Sequence, residues 1–236
     1  MPLVDELLRP SDVTLDSLVD HVRQYLVPVT SASDPARVIT ARPRIPEGVS
    51  ELAQARRARL RGRLTDLWLV LWAVRRPVDD SLGELLDAAS SSRAYQDLLD
   101  DVAQYDADSR ARLFADVRAH IQTLSEVLGT RPARVEVQLG VRRRLALGIS
   151  GTELRVRFDL VVTLPERRGL VDVTTSPLDP DDAPLALLAL ADLLAGYHPR
   201  RVAQISSATG EVRMREVDGA LVDLALSTLH ERTRAA

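Results

Sequence analysis

The chain has no cysteine and no lysine. The first absence removes disulfides, thiolate nucleophiles, cysteine-based zinc sites and iron–sulfur clusters. The second makes all 31 basic residues arginine, and it removes a P-loop lysine, a Schiff-base lysine and any lysine that would stabilise a transition state. Aromatic residues are only 3% of the chain, so the core must be aliphatic, built from Leu, Val and Ala. No apolar run approaches the ~20 residues that span a bilayer, and the opening MPLVDELLRPSD is acidic and polar rather than signal-like. The expectation is a cytoplasmic protein with no membrane partner. The formal net charge is -3, so there is no global electrostatic pull toward nucleic acid, and any such pull must be local. The four histidines, His21, His120, His198 and His230, are scattered, and no pair has the spacing of a helical metal motif.

What is present is globular: 236 residues, 45% hydrophobic and 28% charged, enough for one large domain or two small ones. Residues 11–26 carry Leu15, Leu18, Val22 and Leu26 at helical spacing behind Ser and Asp caps, which predicts a short amphipathic helix. Residues 27–50 hold Pro28, Pro35, Pro43 and Pro46 and read as an extended connector. From Glu51 to Arg75 the pattern begins basic and ends apolar, which predicts a helix running from the surface into the core with Trp68 and Trp72 on one face. Further helices are expected near 80–105 and 108–128, broken at SSS and DAD and stopped at Gly129.

After Gly129 the period changes. RVEVQLG, VRRRLALGI, ELRVRFDLVVTL and GLVDVTT are Val- and Leu-rich runs separated by glycine-containing turns, and they read as a β-meander. APLALLALADLLAG is apolar nearly all round and should be a buried helix. A hairpin turning at ATG and a closing amphipathic helix complete the chain. The boundaries are residues 1–50 as N-terminal helix and proline-rich connector, and 51–236 as one domain, helical over 51–129 and sheet-containing over 130–236.

Two strand-like runs are interrupted by acids, Asp159 in RFDLVV and Asp172 in LVDVTT. Burying a carboxylate costs several kcal/mol unless it is paired, hydrogen-bonded or bound to a metal, so both demand a partner. Two sources are open: a divalent cation, or arginines among Arg155, Arg157, Arg167 and Arg168. Asp66 either adds a third oxygen ligand for Mg²⁺ or pairs along its own helix with Arg59 or Arg63.

The order of elements, with an acid on each of two successive strands, resembles the PD-(D/E)xK nuclease superfamily, specifically its RecB-like branch, over roughly residues 56–232. The resemblance implies an α/β (α+β) fold with a restriction-endonuclease-like mixed central sheet flanked by helices. It implies that Asp159 and Asp172 correspond to the two acids that hold Mg²⁺. It also places Thr174 where the family has the lysine that organises the attacking water. The family's helical histidine motif finds only Gly62 leading to Asp66, and its Q-x-x-x-Y falls on Ala183 and Leu187. A threonine hydroxyl carries no charge, and losing a charged group of this kind costs at least ~10² in rate, about 2.7 kcal/mol. Asp159, Asp172 and Thr174 therefore read as a vestigial catalytic motif. No cofactor is required, although Asp66, Asp159 and Asp172 offer Mg²⁺ three carboxylates.

Two arginine clusters lack interleaved aromatics, so base stacking is not suggested. One comprises Arg56, Arg57, Arg59, Arg61 and Arg63, and the other Arg142, Arg143 and Arg144. Each is either a phosphate-binding patch or a solvated charged surface. The expectation is a pseudo-nuclease that binds DNA or RNA through these clusters, or works beside a helicase, a nuclease or another protein. An active Mg²⁺-dependent nuclease with a non-standard site and a protein-interaction module with no nucleic-acid role are the rivals.

Overall fold

The structure is a computed structural model that describes residues 2–10, 22, 37–41, 52–74, 82–147 and 152–235. The helix expected over 11–26 and most of the connector at 27–50 lie outside the described residues. Elements follow in the order α1 (Leu3–Leu7), β1 (Arg37–Thr40), α2 (Leu52–Ala73), α3 (Leu82–Ser90), a 3₁₀ turn (Arg93–Tyr95), α4 (Gln96–Ala103) and α5 (Ala107–Leu128). Then come β2 (Glu136–Leu147), β3 (Thr152–Leu164), β4 (Arg167–Thr174), α6 (Ala183–Leu194), β5 (Arg201–Ser206), β6 (Val212–Glu216) and α7 (Gly219–Ala235). The chain is thus a mixed α/β protein with helices prominent in its N-terminal half, as the change of period at Gly129 predicts.

The six strands form one mixed sheet in the order β1-β3-β4-β5-β6, with β2 also paired to β3. β2, β3 and β4 are an antiparallel meander, β5 lies parallel to β4 after the α6 crossover, and β6 closes antiparallel on β5. One core lies between the sheet and α1–α5, and a second lies between the sheet and α6 with α7. Helix α6 has ten buried residues, eight of them in the second core, so its all-round apolar pattern is matched by all-round burial. Along α2 the switch from basic to apolar is also realised. Leu60, Leu64, Leu67 and Trp68 are buried, and the Trp72 indole N–H donates to the Gly129 carbonyl at 2.7 Å. Each fully buried leucine of this kind contributes roughly 1.5–3 kcal/mol.

One expectation needs correction, and two short elements add to the rest. The opening acidic segment forms helix α1, whose Leu3, Val4 and Leu7 are buried against the sheet. It sits there because Gly169 on β4 has no side chain: a Cβ at that position would lie 3.0 Å from Leu7 Cβ and 3.1 Å from Val162. Arg167 and Arg201 donate to the carbonyls of Leu8, Glu6 and Arg9, closing the helix end from the sheet side. Within the proline-rich connector, Arg37–Thr40 is a strand that pairs in parallel with Thr152–Arg155. Gly140, expected as a turn between two strands, lies inside one continuous 12-residue strand.

Gly140 does mark a change. Its φ is +57, a conformation L-residues with side chains rarely adopt. On β2, Val137 and Leu139 face the α2/α5 core, whereas Val141 and Leu145 face α6. On β3, Val156 and Phe158 face α6, whereas Leu160 and Val162 face the other core. Regular pleating keeps residues two apart on one face, so both strands switch faces at the same level. Leu139 pairs with Leu160 and Val141 with Phe158, which puts Asp159 across from Gly140 at the pivot.

Candidate functional site

The pivot coincides with a fork in the sheet. On the edge of β3 away from β2, residues 152–155 pair with β1 and residues 160–164 with β4. Residues 156–159 lie between, with no strand partner on that edge among the described residues. Where β4 leaves β3, the Asp159 carboxylate fills in: its Oδ2 accepts the Val173 N–H at 2.8 Å. The acid replaces a ladder carbonyl at the fork.

Asp159 is 4% exposed and its second oxygen lies 3.5 Å from Arg157 Nε. The same guanidinium donates through Nη2 to Asp66 Oδ2 on α2 at 2.9 Å. Arg157 therefore bridges Asp66 and Asp159, and the three share a cavity of about 290 Å³ with Arg63, Tyr95 and Gly140. Burial, with the Asp66 carboxylate adding, raises the Tyr95 hydroxyl above its ordinary pKa. Arg59 and Arg63, the expected helical partners of Asp66, lie 3.7 and 3.8 Å from Asp101.

Asp172 stands next to Asp159 in the sheet, on β4, and is 1% exposed. Its Oδ2 accepts the side-chain amide of Gln204, its register partner on β5, at 3.0 Å. It borders a different cavity, of about 340 Å³, at the gap between the ends of β1 and β4. Thr174 is engaged locally: its hydroxyl accepts the Ser176 N–H at 3.2 Å, and its carbonyl accepts the Ser207 hydroxyl at 2.9 Å. Ser207 Oγ in turn lies 2.9 Å from His120 Nδ1 in the core. Burial, followed by the field of Arg61, lowers the His120 pKa.

The fit to Mg²⁺ is poor. The ion needs a shell of hard oxygens at 2.0–2.1 Å. Two of the three carboxylates already hold a guanidinium between them, and Asp172 is turned to an amide on another strand. Among the described residues no group of three or more His, Asp or Glu side chains is placed to hold a metal.

The arginine clusters separate. On α2, Arg56 donates to Asp101 and Gln104 and stacks on Tyr105, and Arg57 donates to Asp116 at 2.6 Å. Arg61 is half-buried on the same helix. This cluster is a seam joining α2 to α4 and α5. On β2, alternation splits the other cluster. Arg142 and Arg144 are exposed, whereas Arg143 turns inward to Asp192 on α6 at 3.4 Å. Asp192, 0% exposed, also accepts two hydrogen bonds from Arg168, at 2.5 and 3.1 Å. The Tyr197 ring covers both guanidinium groups, 4.2 Å from Arg168 and 4.7 Å from Arg143. Sequence reading missed Asp192 and Gln204. A lone acid in an otherwise apolar helix was the available signal for the first, and the second had none.

No protein-family model matches the chain, and no curated protein matches it. Among solved structures it is similar to protein VC1899 from Vibrio cholerae, at 16% identity and a TM-score of 0.27. The match covers 75% of this chain and 51% of that protein, so the chain spans about half of that protein's length. A likeness at this level adds nothing to the topology described above. No helix among the described residues is long and apolar enough to cross a membrane.

Proposed function

We propose that this chain is a catalytically degenerate PD-(D/E)xK-like protein that binds nucleic acid, or scaffolds an assembly that processes it, without cutting it. A helix, a three-strand meander with acids on adjacent strands, a crossover helix and a parallel strand follow one another in the order that the resemblance calls for. The observation that carries the reading is Arg157. Its guanidinium lies between Asp66 and Asp159, where a nuclease of this kind would place a metal. Phosphodiester hydrolysis needs an activated water and a cation facing the developing phosphoryl charge. Arg157 spends its charge on two carboxylates instead, and Thr174 offers no charge at all.

Binding is assigned to Arg142 and Arg144, because Arg56 and Arg57 are hydrogen-bonded to acids on α4 and α5, Arg59 and Arg63 lie beside Asp101, and Arg143 is committed to Asp192. A helicase or nuclease acting on the same strand, in nucleic-acid metabolism or defence, is the kind of partner such a protein serves. Fluorescence anisotropy with labelled single- and double-stranded oligonucleotides tests this. Affinity should be similar for unrelated sequences, and the Arg142→Gln, Arg144→Gln double variant should flatten the plot of log K against log salt. The expected loss of slope is ~0.7–0.9 per phosphate contact. No binding by the wild type at ~50 mM salt, or an unchanged slope in the variant, would leave a protein-interaction module with no nucleic-acid role.

A further inference from the structure

Strand β2 is an edge of the sheet. It pairs with β3 along its length, and its other side carries no strand among the described residues. At 12 residues it is roughly 40 Å long, and alternate residues turn their backbone N–H and C=O groups outward with no ladder partner among the described residues. An open edge of this length is a template for an added strand. Gly140, at φ +57, sets a limit to it: the chain switches faces there, so a regularly pleated strand laid along the edge loses its match of faces at that point. Residues 141–147 are the longest stretch beyond the pivot on which one such strand can pair throughout.

The two faces of this stretch differ. Arg142 and Arg144 are exposed and share a face with their cross-strand partners Arg157 and Arg155. Val141 and Leu145 turn the other way, toward α6, and are half-buried at the rim of its core. The sheet supplies Arg142 and Arg144 with like charge only, because Arg157 is taken by Asp66 and Asp159 and Arg155 donates to both oxygens of Glu153, at 2.8 and 2.9 Å. Like charges opposed across strands weaken a sheet, so acids on the outer side of β2 offset what β3 imposes. A second copy of this chain does not provide them. Self-pairing centred on any of the three arginines sets arginine against arginine, and residues 141–147 include no acid.

We infer that residues 141–147 of β2 take up an extended segment of a partner protein, added to the sheet as a further strand, in which acidic and apolar residues alternate. The segment's backbone completes the open ladder. Its acids stand beside Arg142 and Arg144 on one face, and its apolar residues extend the rim at Val141 and Leu145 on the other. Arg143 is held by Asp192 and takes no part. The inference gives a chemistry to the scaffolding half of the proposed function and rests on that reading only for the kind of assembly the partner belongs to. Because the same two arginines are assigned to nucleic acid, the two ligands compete.

The test uses the full chain and a fluorescein-labelled peptide of alternating glutamate and valine, about seven residues long to match the edge. Its comparators are a peptide of the same composition with the glutamates in one block, a peptide with lysine in place of glutamate, and an unlabelled single-stranded oligonucleotide. In anisotropy titrations the alternating peptide should bind roughly tenfold or more tighter than the block peptide, which is about 1.4 kcal/mol, and the lysine peptide should not bind. The Arg142→Gln, Arg144→Gln variant should lose that preference, and amide hydrogen exchange over residues 141–147 should slow when the alternating peptide is bound. Equal affinity for the alternating and block peptides, or unchanged exchange along β2, would reduce the contact to general charge attraction and overturn the inference. A preference that survives in the double variant would remove the assignment to this edge. Displacement of the peptide by the oligonucleotide would uphold both readings. Peptide binding without oligonucleotide binding would uphold this inference and overturn the nucleic-acid reading, and oligonucleotide binding without peptide binding would do the reverse.

Discussion

Replacing Asp192 by Ala should destabilise the protein by ~3–5 kcal/mol. Asp192 is fully buried on α6 and is the acceptor for both Arg168 and Arg143. Arg168 is itself only 8% exposed, so the variant would strand a buried guanidinium with no acceptor among the described residues, only the Tyr197 ring against it. Removing one partner of a buried pair costs far more than the pair contributes, because the remaining charge keeps its desolvation penalty. Against a typical stability of ~5–15 kcal/mol this is a large fraction. Urea unfolding should show a lower midpoint at unchanged slope. If the Ala variant does not accumulate, Asp192→Asn, which keeps the shape and one acceptor oxygen, should give an intermediate loss. The exposed Arg142→Gln, Arg144→Gln variant should stay within ~0.5 kcal/mol of the wild type. A loss below ~1 kcal/mol for Asp192→Ala would mean that the cluster is solvated and that Arg143 belongs with its exposed neighbours after all.

The second large effect belongs to Arg157. Its replacement by Ala leaves two carboxylates facing one another across the smaller cavity, one of them, Asp159, nearly buried. The expected cost is ~1–3 kcal/mol, because Asp159 loses a charged partner while staying nearly buried. The informative part is what restores it. With the guanidinium gone, Mg²⁺ or Mn²⁺ at millimolar concentration should raise the unfolding midpoint of the variant, since an ion that binds only the folded state stabilises it by mass action. The wild type should not respond. A wild-type midpoint that rises as much as the variant's would show that Arg157 does not stand in the cation's place.

The two results bear on what a reader of this sequence can and cannot see. Asp159 and Asp172 are conspicuous because each interrupts a strand-like apolar run, and the strands that carry them are neighbours in the sheet. The helix-to-strand transition at Gly129 and the burial of α6 are equally legible, since both rest on periodicity over a dozen or more residues. Helix α1 has five residues and β1 four, too few for a period to declare itself. Gly140 carries the ordinary signature of a turn, and only the strand register shows it to be the pivot of a continuous strand. The bridge from Asp66 to Arg157 spans 91 positions and joins a helix to a strand. Local spacing favours Arg59 or Arg63 for that partner, and tertiary packing sends those arginines to Asp101 instead. The arginine triplet on β2 illustrates the same limit. Its charge is visible in the sequence, but which members are free depends on which face of the strand each takes.

The most direct measurement is cleavage itself. Purified wild-type protein, incubated with plasmid and single-stranded DNA in Mg²⁺ and then in Mn²⁺, should leave both substrates intact at background level. Thr174→Lys should restore little, because a catalytic unit that has lost several members does not recover additively with one. Robust metal-dependent cleavage by the wild type that disappears in Asp159→Ala or Asp172→Ala would contradict the account and make this chain a working nuclease.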